Sequence, residues 1–191
     1  MEKFSLERAL SLESKYDDAL QMRPIGTWLA KFVLWFSVLF ALYHYVTAGI
    51  GVPVDFWHMG AHMSGVIILI FISFPAFKKL QRDSQSADAM GPLAGVPLYD
   101  WLFTIIGVMS SLYVGVTWYG VDLNFLGFSY SIPEQVLRMG VPLPVDVVFG
   151  TLLIIVLLEA VRRTIGIIVP IIILLFTGYA VLGPYIPIQI L

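Results

Sequence analysis

The sequence predicts an all-α integral membrane protein of about five transmembrane helices, with its N-terminus in the cytoplasm and its C-terminus on the periplasmic side. Three observations carry that prediction. Of 191 residues, 59% are hydrophobic and 13% charged, with a mean hydropathy of +0.87, whereas a soluble domain carries about a quarter charged residues. Residues 32–54, 56–77 and 101–121 are free of charge, and so is everything after Arg163; about 20 such residues cross a hydrocarbon core of about 30 Å as a helix. Finally, of 11 basic residues only Arg138 falls outside when the N-terminus is placed inside, while Lys3, Arg8, Lys15, Arg23, Lys31, Lys78, Lys79, Arg82, Arg162 and Arg163 share the inner side. Cytoplasmic loops are enriched in Lys and Arg, so direction and count support each other.

Residues 1–27 form a cytoplasmic N-terminal segment. Phe4, Leu6, Leu10, Leu12, Tyr16 and Leu20 fall loosely at helical spacing among Glu7, Arg8, Glu13, Lys15, Asp17 and Asp18. This is the pattern either of an amphipathic helix lying in the membrane interface or of a polar tail. Its mixed charge does not suit a strongly lipid-attracting basic helix. A removable signal peptide fits poorly, because polar and mixed residues precede a first apolar run that is too long.

Residues 28–191 form the transmembrane domain. The first crossing spans 28–48 and ends at the Gly49–Pro53 turn. The second spans 55–77, where Lys78, Lys79 and Arg82 stop it. A polar linker over 81–96 leads into the third, 99–119, with Trp101, Trp118 and Tyr119 at the ends, where aromatic rings favour the headgroup level. Residues 120–143 make the longest external loop, broken by Pro133, Pro142 and Pro144 at its end. The fourth crossing, 145–161, holds Asp146 and Glu159 near its termini, where charge costs far less than at the helix centre. The fifth spans 165–182 and contains Pro170, which is expected to kink it.

The chemistry visible in this pattern is sparse. There is no cysteine, which excludes disulfides, thiolate metal sites and thioether-linked haem. Basic residues form no continuous patch, which argues against nucleic acid. No Walker loop, nucleophile elbow or metalloprotease helix is present, and an enzyme is not expected. His44, His58 and His62 map to the outer side, and the last two share a helix face. They suit hydrogen bonds between helices, a proton relay, or ligation of haem or a metal. Glu159 lies three and four residues before Arg162 and Arg163, so a structural ion pair is expected on one face. Asp55, Asp122, Glu134, Arg138 and Asp146 form a charged outer surface able to meet a partner protein or only water. Small residues Gly60, Ala61 and Ser64, then Gly107, Ser110 and Ser111, then Gly150 and Thr151, permit close helix approach.

The elements Pro144-x-Asp146-x3-Gly150, Leu158-Glu159-Ala160-x-Arg162-Arg163-x2-Gly166, then Pro170, Tyr179 and Gly183-Pro184-x2-Pro187 resemble the N-terminal region of TAXI-type TRAP transporter permeases. His62 with the apolar stretch to Pro75, and Pro97-x-Tyr99-Asp100-Trp101 leading into Tyr113, fit the same likeness, which covers roughly residues 35 to 187. The resemblance implies a bacterial inner-membrane, multi-pass small subunit of a tripartite ATP-independent importer of organic acids. Its implied partners are a large twelve-helix permease subunit and a periplasmic TAXI-type substrate-binding protein, besides membrane lipid. It implies no cofactor on this chain, with Na+ or H+ coupling in the large subunit. A fused permease would continue well past Leu191, so a split gene or one piece of a larger assembly is implied. The alternative from the histidines alone is a haem-binding membrane anchor of a respiratory enzyme, using His44 with His58 or His62.

Overall fold

Apolar runs become helices, and the bundle results from packing them side by side. The computed structural model describes residues 22–23, 25–52, 54–76, 95–125 and 127–185. Helix α1 spans Thr27–Ile50, α2 Asp55–Ser73, α3 Leu98–Thr117, α4 Pro144–Thr164 and α5 Ile168–Leu182. The interfacial helix or tail proposed for the first residues, most of the 81–96 linker and the end of the chain lie outside the described residues.

Four of these helices, α1 to α4, are long and apolar enough to cross a membrane. The fifth differs from expectation: α5 has 15 residues, about 22 Å at 1.5 Å per residue, shorter than the hydrocarbon core. Its start is delayed to Ile168 by the Ile165–Ile167 break, where Gly166 adopts φ +106°. Pro170 therefore sits in the first turn of α5, where a missing N–H removes no intrahelical bond, so it opens the helix instead of kinking its middle. The second crossing also ends earlier than its apolar run, at Ser73, because the backbone at Phe74 is extended ahead of Pro75.

A second correction concerns the loop over 120–143, which makes the fold not purely helical. Residues Val121–Phe125 (β1) and Phe128–Ile132 (β2) pair antiparallel, with Val121 opposite Ile132 and Phe125 opposite Phe128. Gly127, at φ +85°, turns the chain between them. Asp122 and Asn124 alternate with Val121, Leu123 and Phe125 in the period of two that a strand requires.

The α2–α3 pair is the tightest contact in the bundle, and glycine is the reason. A Cβ on Gly60 would lie 3.0 Å from the Ser111 carbonyl oxygen, and one on Gly115 would lie 2.9 Å from that of Phe56. The backbones thus approach where both helices lack side chains. The core between α2, α3 and α4 centres on Ile67, Phe71, Val156 and Ala160, with Phe103 stacked on Phe71. Gly107 receives Val156 and Ile67, whose methyl carbons would be 2.8 and 2.9 Å from a Cβ there. Gly150 meets nothing within 4 Å. A second small core, Leu29, Ile72 and Val96, seats the start of α1 against the end of α2. Beyond that, α1 touches the bundle sparingly, and Ile171 to Thr177 of α5 are all exposed.

Candidate functional site

Polar side chains gather at the two ends of the bundle. At the end that the basic residues mark, Asp100 stands in the first turn of α3 and is completely buried. A carboxylate in that position is tolerable only when paired. Arg23 forms an ion pair with its Oδ2, and Nη1 of Arg163, from the last turn of α4, lies 2.7 Å from its Oδ1. The second contact is close in distance but lies outside hydrogen-bond geometry, since Oδ1 has no hydrogen-bond partner among the described residues.

Arg163 makes several further contacts, though its Nη2 is buried without a hydrogen-bond partner among the described residues. Its Nε donates to Glu159 Oε1 at 2.8 Å, Nη1 donates to the Phe74 carbonyl at 3.2 Å, and the guanidinium lies 4.5 Å over the Phe71 ring. Glu159 also accepts from Arg162 Nε at 2.7 Å and Nη2 at 2.8 Å, while the latter reaches the Ala76 carbonyl at 3.0 Å. Glu159, Arg162 and Arg163 are thus brought together, and the structure joins to them a pair that the sequence reading left out: Asp100 and Arg23. Arg23 is further fixed by its backbone N–H, which donates to the Ser73 carbonyl at 2.7 Å. The cluster ties the entry to α1, the end of α2, the start of α3 and the end of α4. Among the described residues three guanidinium groups face two carboxylates. A carboxylate directly ahead of the charge-free run 101–121 was the available signal for Asp100.

At the opposite end the three histidines converge. His62 Nδ1 and His44 Nε2 are 2.7 Å apart in a hydrogen bond between α2 and α1. His44 Nδ1 is 2.7 Å from the Phe40 carbonyl, which it reaches as donor, so His44 Nε2 accepts from His62. His58 Nδ1 pairs with the Tyr43 hydroxyl at 2.8 Å. These two contacts, with Phe40 wedged over Gly65, are what couple the C-terminal half of α1 to α2. His44 Nε2 and His62 Nδ1 are thus engaged with each other. Among the described residues no group of three His, Cys, Asp or Glu side chains is disposed to hold a metal ion.

The charged outer surface divides in two. Arg138 and Asp146 form an ion pair in which both side chains are about nine-tenths buried. Asp146 also accepts from the Tyr113 hydroxyl at 2.6 Å and caps α4 by accepting the Leu143 N–H at 2.8 Å. These two residues are occupied in fastening the hairpin side to α3 and α4, and the Arg138 Nε adds a bond to the Pro133 carbonyl at 3.0 Å. Asp55, Asp122 and Glu134 are exposed and remain accessible.

The arrangement holds helices in place at both ends and offers no charged group in the middle of the bundle among the described residues. It is suited to mechanical rigidity. Comparisons with protein-family models, with curated proteins and with solved structures find no match for this chain.

Proposed function

We propose that the chain is the small membrane subunit of a binding-protein-dependent, ion-gradient-driven importer of organic acids in a bacterial inner membrane. In this reading it is a scaffold for a large permease subunit and helps dock a periplasmic TAXI-type binding protein. The observation that carries the reading is the contrast within the bundle. α2, α3 and α4 are locked by a buried ionic cluster and glycine contacts, whereas α5 and most of α1 present apolar side chains to their surroundings. A rigid core with broad unpartnered helical faces is what a static support needs, because helices packed in lipid gain from shape complementarity with another membrane protein. The resemblance of the Leu-Glu-Ala-x-Arg-Arg-x2-Gly element supplies the family.

Five crossings with the N-terminus inside follow from the basic residues, with α5 and its continuation completing the last one. Asp55, Asp122 and Glu134 would face the binding protein, and Na+ or H+ coupling would belong to the large subunit. The test is co-expression with a TAXI-type large permease subunit and binding protein from the same genome. Joint purification, and organic-acid uptake by proteoliposomes that needs this chain, are expected. A lone, stable monomer in detergent and uptake indifferent to its removal would overturn the reading.

A further inference from the structure

The turn that leads from the β1–β2 hairpin into α4 is built inside out. Leu137 is 78% exposed, Met139 67% and Val141 77%, yet Arg138, the only charged residue between Glu134 and Asp146, is withdrawn. Its side chain and that of Asp146 are each about nine-tenths buried in their ion pair, and its Nε donates to the Pro133 carbonyl. Single exposed apolar residues are ordinary, but a contiguous group of them around a hidden charge marks a contact surface.

Local chain chemistry sets this shape. Gln135–Arg138 is a 3-10 turn, followed by a β-turn that the Val141 N–H closes by donating to the Arg138 carbonyl at 3.1 Å. Met139, at φ −58° and ψ 128°, and Gly140, at φ +88°, are the two corners of a type II turn, whose second corner suits glycine. The depth of the turn is fixed through its charge. Asp146, the partner of Arg138, also caps α4 by accepting the Leu143 N–H, so the turn is tied to the first turn of that helix. The 21 residues of α4 measure about 31 Å, which only just crosses a hydrocarbon core of about 30 Å. A crossing α4 therefore has its first turn at the edge of that core.

From this juxtaposition we infer that the 136–141 turn is an interfacial anchor, seated in the lipid leaflet with Leu137, Met139 and Val141 at the boundary between headgroups and acyl chains. Lipid is the partner because the turn is tethered at membrane depth and offers no unpaired charge of its own to a protein, whereas the rim of a protein interface is polar. The pairing of Arg138 with Asp146 removes the one charge that would resist this seating. The anchor is independent of the transport reading, since its features lie wholly within this chain.

The chain contains no cysteine, so Leu137→Cys and Val141→Cys each give a single labelling site in the full-length protein. Each variant, labelled with bimane and reconstituted into phosphatidylcholine vesicles, is quenched by a lipid with a nitroxide high on its acyl chain, or by iodide on both sides of the membrane. The nitroxide lipid should quench both labels, and iodide quenching should fall at least about five-fold below that of the free dye, as seating in the interface requires. Adding Leu137→Asp and Met139→Asp to the Val141→Cys variant should restore iodide quenching while circular dichroism stays helical, because charge is driven out of lipid. Iodide quenching equal to that of the free dye in the single-label variants would place the turn in water. Labels reached by neither quencher would place it under protein, whether residues 186–191 of this chain or a second copy. Either result, or no gain in iodide quenching on adding the aspartates, overturns the anchor.

Discussion

Asp100 Oδ1 and Arg163 Nη1 meet 2.7 Å apart, although one residue opens α3 and the other closes α4. Arg23 takes the second oxygen of the same carboxylate. A fully buried acid therefore serves as the common anion for two arginines from different parts of the chain. Replacing it with a neutral isostere leaves Arg23 without a carboxylate among the described residues and Arg163 with Glu159 alone, in a desolvated place. Asp100→Asn should cost about 3 to 5 kcal/mol, read as a marked fall in the thermal unfolding temperature in detergent. Arg162→Gln should cost no more than about 1 kcal/mol, because that side chain is 31% exposed and can reach water. Similar losses from both variants would show that the Asp100 node is not special.

Glu159→Leu removes the acid shared by Arg162 and Arg163. Arg163 keeps Asp100, and Arg162 keeps its route to water, so a modest drop in the amount of assembled protein is expected, measured as membrane-inserted yield. Normal yield combined with abolished uptake would contradict a structural role.

Glycine positions should separate by the space around them. Gly60→Ala places a methyl 3.0 Å from the Ser111 carbonyl oxygen and must push α2 from α3, at a cost of about 1 to 3 kcal/mol. Gly150→Ala enters open space and should stabilise α4 by about 0.5 to 1 kcal/mol through backbone entropy. Opposite shifts in unfolding temperature are the expected result.

The histidines near the C-terminal end of α1 and the start of α2 join the two helices by hydrogen bonds. An absorption spectrum of the purified protein should lack a Soret band. His44→Ala should loosen the C-terminal half of α1, seen as faster deuterium exchange of amides 40–50, with α3 and α4 unaffected. A Soret band lost in that variant would instead support the haem-anchor alternative.

Gly127→Val should strain the turn at φ +85° and open the β1–β2 hairpin locally, by about 1 to 2 kcal/mol. Limited proteolysis should then cut within residues 121–132 while the helices stay intact; unchanged resistance would mean the turn tolerates a β-branched residue.

Much of the helical layout was legible from one-dimensional properties. The starts of α1, α2, α3 and α4 lie within a residue of the predicted crossings, because charge-free length and prolines act locally on the backbone. Glu159, Arg162 and Arg163 were readable for the same reason, being neighbours on a single helix turn. The hairpin was missed although Val121-Asp122-Leu123-Asn124-Phe125 alternates in period two; its run is short and it lies in a segment with prolines that read as a loop. The length of α5 was overestimated because Gly166 acts as a break only once the chain reverses there.

The sequence by itself determined how many residues each apolar run supplies, where basic residues concentrate, and which histidines share an end. Only the tertiary structure decided that Asp100 is the anion for Arg23 and Arg163, that His62 donates to His44, and that Arg138 is occupied by Asp146. The physical reason is that a helix apolar on all sides carries no stripe to say which face turns inward. Neighbour and rotation are then set by close contacts such as Gly60 against Ser111 and by the few buried charges that must find a partner.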